Sequence, residues 1–113
     1  MVVGDLRGRD DCQKFADLLL KYFLEERNLF IISSDFCHWG PRYSYYYLEE
    51  PLPEIPIHKS IEKMDMKAIQ FITEHQSEGF FNYLEATSLS VCGRNPISLF
   101  LQASLKPCGV LEP

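Results

Sequence analysis

The sequence predicts an α/β protein with a partial central sheet and flanking helices. Three features carry this expectation. An amphipathic helical pattern covers residues 10 to 26, the continuous apolar run Leu29-Phe30-Ile31-Ile32 follows it directly, and Asn95-Pro96 opens a further apolar helical stretch. A helix that leads into a strand apolar on both faces is the local mark of a parallel sheet covered by helices.

In the first element Cys12, Phe15, Leu18, Leu19, Tyr22 and Phe23 recur at three- and four-residue steps, with Asp11, Lys14, Asp17 and Lys21 between them. Asp10 and Asp11 suit the positive end of the helix dipole, and Asn28 suits a stop. After the apolar run comes Ser33-Ser34-Asp35-Phe36-Cys37-His38-Trp39-Gly40-Pro41, at the end of the strand where α/β sheets place their ligands. Pro51, Pro53 and Pro56 make residues 49 to 56 an extended loop. A second helix is expected from His58 to about Glu74 on Ile61, Met64, Ala68, Phe71 and Ile72, and a short third from Ser77 to Leu84 despite Gly79. Asn95 as cap and Pro96 at the first helical position start a fourth, which buries Ile97, Leu99, Phe100, Leu101 and Leu105. Two prolines leave residues 106 to 113 as an unstructured tail.

The chain has 113 residues, enough for one domain, with 46% hydrophobic and 24% charged residues as in ordinary globular proteins. A net charge of −5 without a basic cluster disfavours a nucleic-acid partner. No apolar run approaches the roughly 20 residues of a membrane span. Residues 1 to 11 carry five charges and no apolar stretch, which does not support a cleaved signal peptide. The four cysteines, at 12, 37, 92 and 108, fit neither a paired CxxC site nor a dense disulfide framework, so reduced thiols in the cytoplasm are expected.

Asp35 and His38 share one loop, and Cys92 stands just ahead of the fourth helix, where free N–H groups favour an anion. A carboxylate, an imidazole and a thiolate together suit zinc, copper or iron. A capped loop with an ordinary buried His and free Cys is the alternative. Arg42 and Arg94 lie beside the two candidate loops and could grip a carboxylate or phosphate through paired hydrogen bonds, or simply brace the loops. Tyr43, Tyr45, Tyr46 and Tyr47 give an aromatic rim next to Trp39. No GxSxG elbow and no glycine-rich phosphate loop is present, and no residue is assigned a catalytic role. His58 and His75 read as surface residues.

The string from Ser33 to Gly40 with its tyrosine cluster, the block Ile57-His58-Lys59-Ser60-Ile61-Glu62-Lys63-Met64-Asp65 and the block Cys92-Gly93-Arg94-Asn95-Pro96-Ile97 resemble, in order, three blocks of the Memo family, mediators of receptor-tyrosine-kinase-driven cell motility. The resemblance implies a fold similar to the class III extradiol dioxygenases, with residues 1 to 105 as a partial Memo-like domain and 106 to 113 as a tail outside the family. It implies a metal-capable pocket carried over at Asp35, His38 and Cys92, linked to recognition of phosphotyrosine peptides. The family's two further pocket histidines belong to an N-terminal half that this chain does not contain. The metal site is therefore expected to be incomplete, holding iron or copper weakly or not at all. Asn95 departs from the family, which often has His there.

The leading functional expectation is a cytoplasmic signalling protein linked to cell motility. It would bind a phosphotyrosine peptide of a receptor tyrosine kinase through Arg42, Arg94, Trp39 and Tyr45. The rival is a copper- or iron-dependent oxidoreductase. A third reading is a truncated isoform or partial gene product without independent activity, so enzymatic function is not expected of this chain alone.

Overall fold

The computed structural model describes residues 1–50 and 53–111, with side chains of the last helix described through Ser104. It contains four α-helices: α1 (Gly8–Phe23), α2 (Ile57–Thr73), α3 (Ser77–Thr87) and α4 (Arg94–Leu111), with a 3-10 turn at Pro41–Tyr43. The predicted partial sheet does not form among the described residues, where the one β-bridge joins Gly40 to Tyr45. Among the described residues no strand neighbours Leu29–Ile32. Leu29 and Ile31 are 83% and 85% exposed, while Phe30 turns inward and stacks on Phe23 with ring centroids 4.0 Å apart. The alternation is that of a strand, but a ladder needs a second chain segment to supply its hydrogen bonds.

The chain divides into two compact units, one of Met1–Ser33 with everything from Gly93 onward, the other of Ser34–Cys92. In the first, α1 packs on α4 through Cys12, Ala16, Leu99 and Ala103, with Val3, Leu6, Leu19 and Phe23 around them. Ala16 and Ala103 are fully buried, and their small side chains let the helices approach closely. The amide of Gln102 donates to Gln13 across this contact. α1 begins two residues earlier than its charge pattern suggests. Arg7 is the cap residue, and its N–H donates to the Asp11 carboxylate at 3.1 Å. Asn28 closes the other end by donating its amide to the Tyr22 carbonyl at 2.9 Å.

The predicted role of Asn95 as cap of α4 is corrected. The helix starts at Arg94, and the Asn95 amide donates to the Gly4 carbonyl at 3.2 Å. Pro96 falls in the first turn, where its missing N–H has no helical acceptor to lose. The expected break at Lys106 is also corrected, since α4 continues through Leu111. Proline's fixed φ is compatible with helix, and Pro107 lies within α4 at the expense of one helical hydrogen bond. The last two residues of the predicted tail lie outside the described residues. No helix is long and apolar enough to cross a membrane among the described residues.

In the second unit α2 and α3 form a helical hairpin. His75 adopts φ 53°, its N–H donates to the Ile72 carbonyl and the Gln76 N–H donates to that of Phe71, at 3.1 and 2.8 Å. This closing geometry usually falls to glycine, and it turns the chain within three residues. The unit buries Met64 and Ala68 from α2 and Phe80, Tyr83, Leu84 and Thr87 from α3, followed by Leu89 and Val91. Gly79 lowers the helix propensity of α3 and is needed there. A Cβ at this position would lie 2.7 Å from Cδ1 of Phe71, whose ring packs against Tyr83.

Gly79→Ala tests this packing. Alanine adds about 1 kcal/mol of helix propensity, and overpacking a fitted contact costs roughly 1–3 kcal/mol. A net loss of about 1 kcal/mol is expected, read as a lower urea midpoint at unchanged slope. A raised midpoint would show that the Phe71 ring yields freely.

Candidate functional site

The loop after Ser34 is held in place by side chains from the rest of its unit. The Asp35 N–H donates to Cys92 Sγ at 3.1 Å, and that of Cys37 to Asp65 Oδ1, from α2, at 3.1 Å. The His38 N–H donates to Ser90 Oγ at 2.7 Å, and the Ser90 hydroxyl donates to the His38 carbonyl at 2.8 Å. Beyond His38 the chain folds back. Gly40, at φ 108°, donates its N–H to the Tyr45 carbonyl at 2.7 Å, a backbone setting that favours glycine, and Ser44 takes a left-handed φ of 51°. The Trp39 indole N–H donates to the Tyr47 carbonyl at 3.3 Å, and its ring meets Tyr46 edge-on.

This arrangement brings Asp35, His38 and Cys92 together, with one ligand atom from each lying within 4.8 Å of the others. Asp35 and Cys92 are exposed and His38 is half-buried, so the cluster opens on solvent. Transition metals bind such donors at about 2.0–2.3 Å, so small side-chain rotations suffice for the three to share one ion. The donor set is also chemically consistent. Imidazole bridges the preferences of a hard carboxylate and a soft thiolate, a mixture that suits zinc, iron or copper. Three protein ligands leave coordination positions free on the open side.

The other expected contacts are distributed differently. Tyr43 stacks on the His38 ring with centroids 4.9 Å apart, and the Arg42 guanidinium sits 5.8 Å from the Tyr43 centroid. Tyr45 has its hydroxyl committed to the Thr87 carbonyl at 2.9 Å, near the end of α3. Arg94 belongs to the first unit, where it opens α4. Cys12 is buried in the α1–α4 contact, and His58 and His75 are exposed, as their sequence positions suggest. Ser90 and Asp65 were not legible as site residues. The only sequence signal was that Ser90 stands two positions before Cys92 and Asp65 closes the second family-like block.

Burial raises the Cys37 thiol above its ordinary range, opposed by the neighbouring Ser90 hydroxyl and reinforced by the Asp65 carboxylate. Asp65 is raised as well, by burial, against the Cys37 N–H and the nearby His38. Burial, followed by the charges of Cys37, Tyr47, Asp65 and Glu49, pushes the Tyr45 phenol up to about 12.

A three-donor cluster on loops beside a helical hairpin defines a protein with a candidate transition-metal site. The chain belongs to the Memo-like protein family, whose model matches residues 1–109, past the boundary at 105 that the sequence suggested. It is 41% identical to Protein MEMO1 of Danio rerio over 112 residues, covering 97% of this chain and 37% of that protein. Protein MEMO1 of Homo sapiens is 42% identical over 103 residues, or 91% of this chain and 34% of the relative. The memo-1 homolog of Caenorhabditis elegans is 39% identical over 104 residues, 92% of this chain and 29% of its own length. The chain thus spans about a third of the length of the curated relatives it matches.

The raised Tyr45 phenol predicts a pH response. Its neutral form is favoured in the folded state, so the stability it lends is complete below the unfolded value of about 10 and is lost as the pH rises to about 12. Tyr45→Phe is expected to flatten part of the decline in unfolding stability across that window. An identical decline in both proteins would refute the anchoring role.

Proposed function

We propose that this chain acts as a Memo-type cytoplasmic signalling protein linked to cell motility, which engages phosphotyrosine peptides of receptor tyrosine kinases at a pocket built on the Asp35, His38 and Cys92 donors. The observation that carries the proposal is the convergence of three unlike donors from two segments far apart in sequence. The stack from His38 through Tyr43 to Arg42 adds a cation at the rim of that pocket. A guanidinium offers a phosphate paired, charge-assisted hydrogen bonds, which is the contact a phosphotyrosine would use. The finer fold assignment belongs to this proposal too: a partial α/β domain of the class III extradiol dioxygenase type.

The openness of the cluster favours a second reading, a copper- or iron-dependent oxidoreductase. Asp35, His38 and Cys92 would hold the metal, which when bound supplies redox or Lewis-acid chemistry. The chain's own contribution is to orient the donors, through Ser90 on His38 and through the Asp35 N–H on the Cys92 sulfur.

Fluorescence anisotropy with a labelled phosphotyrosine peptide tests the first reading. Binding is expected to weaken at least about tenfold for the unphosphorylated peptide and for Arg42→Ala, in line with the roughly 1.5–3 kcal/mol of a hydrogen bond to a charged group. Equal binding of the two peptides removes it. Metal analysis of purified protein tests the second. Sub-stoichiometric iron or copper is expected, lowered further by Cys92→Ala, and metal near zero in both proteins disposes of the oxidoreductase.

A further inference from the structure

We propose that Ser90 is a positioning residue for the donor cluster, fixing the direction in which His38 presents its imidazole. This rests on the reading of Asp35, His38 and Cys92 as a metal site. One hydroxyl serves both backbone groups of the same residue, accepting from the His38 N–H at 2.7 Å and donating to its carbonyl at 2.8 Å. With both peptide groups tied to one atom, the two soft dihedrals of His38 are restrained together, and with them the bond from which its side chain departs. In a sheet a neighbouring strand would make these two contacts.

The clamp itself has a firm mounting. Leu89 and Val91 on either side of Ser90 are 1% and 3% exposed, and the Val91 N–H donates to the Leu89 carbonyl at 2.9 Å in a tight turn centred on Ser90. Two residues further on, Cys92 receives the Asp35 N–H. The short segment Ser90–Cys92 thus supplies one donor and sets the backbone register of the other two. Side chains that orient metal ligands from behind typically control affinity by a factor of about 10–100.

Titration with Co²⁺, followed by thiolate-to-cobalt and d–d absorption, separates this role from a purely structural one. Ser90→Ala is expected to weaken Co²⁺ binding about 10- to 100-fold and to accelerate amide exchange at His38, while Ser90→Thr, which keeps the hydroxyl, restores both. Equal Co²⁺ affinity in wild type and Ser90→Ala overturns the proposal, as does unchanged exchange at the His38 amide. A wild-type chain without the thiolate band would instead strike down the metal reading, and this proposal with it.

Discussion

An extended backbone without a neighbouring strand must find partners for its N–H and C=O groups elsewhere, and the structure around the candidate site follows from how that need is met. From Asp35 to His38 the partners are side chains, and from Gly40 to Tyr45 the loop pairs with its own backbone. Cys92 takes the Asp35 N–H, Asp65 that of Cys37, Ser90 both groups of His38, and the Tyr45 hydroxyl ties the far end of the loop to Thr87. The loop is therefore only as ordered as the elements that send these side chains. Asp65 comes from α2 and the Thr87 carbonyl from α3, so the geometry of the helical hairpin reaches the donors directly. The left-handed His75 and the absence of a Cβ at Gly79 hold that hairpin in register.

The helices were legible because a 3.6-residue period leaves a pattern that each segment carries by itself. Their ends were less so. Arg7 and Pro56 occupy cap positions without a side-chain capping bond, and Asn95, the most cap-like residue in the chain, spends its amide on Gly4 instead. The strand failed for a different reason. The apolarity of Leu29–Ile32 states a preference for burial, but a strand exists only in relation to a partner, and period-2 exposure with unpaired edges is what the preference yields without one.

The donor trio could be read because carboxylate, imidazole and thiol are scarce and chemically distinctive. Ser90 and Asp65 could not, since their importance lies in which backbone atoms they reach. Tyr45 falls between the two. It was expected to contact a ligand, but its hydroxyl is committed to the Thr87 carbonyl and burial pushes its phenol up to about 12.

The two arginines that flank the candidate loops in sequence are divided between the units, Arg42 with the donors and Arg94 at the start of α4. Within the second unit Arg42 reaches His38 through the ring of Tyr43, so the cation and the imidazole are not independent. A rotation of His38 toward an ion changes the face on which Tyr43 stacks, and with it the platform under the guanidinium. On the proposed reading, occupancy of the donors and grip on a phosphate would be coupled through two stacked rings. The chain's charge of −5 works against a phosphopeptide at long range, and a Debye length of about 8 Å confines useful attraction to the immediate rim. Any affinity for such a partner must then come from short-range contacts, and their alignment depends on the same His38 backbone that Ser90 holds.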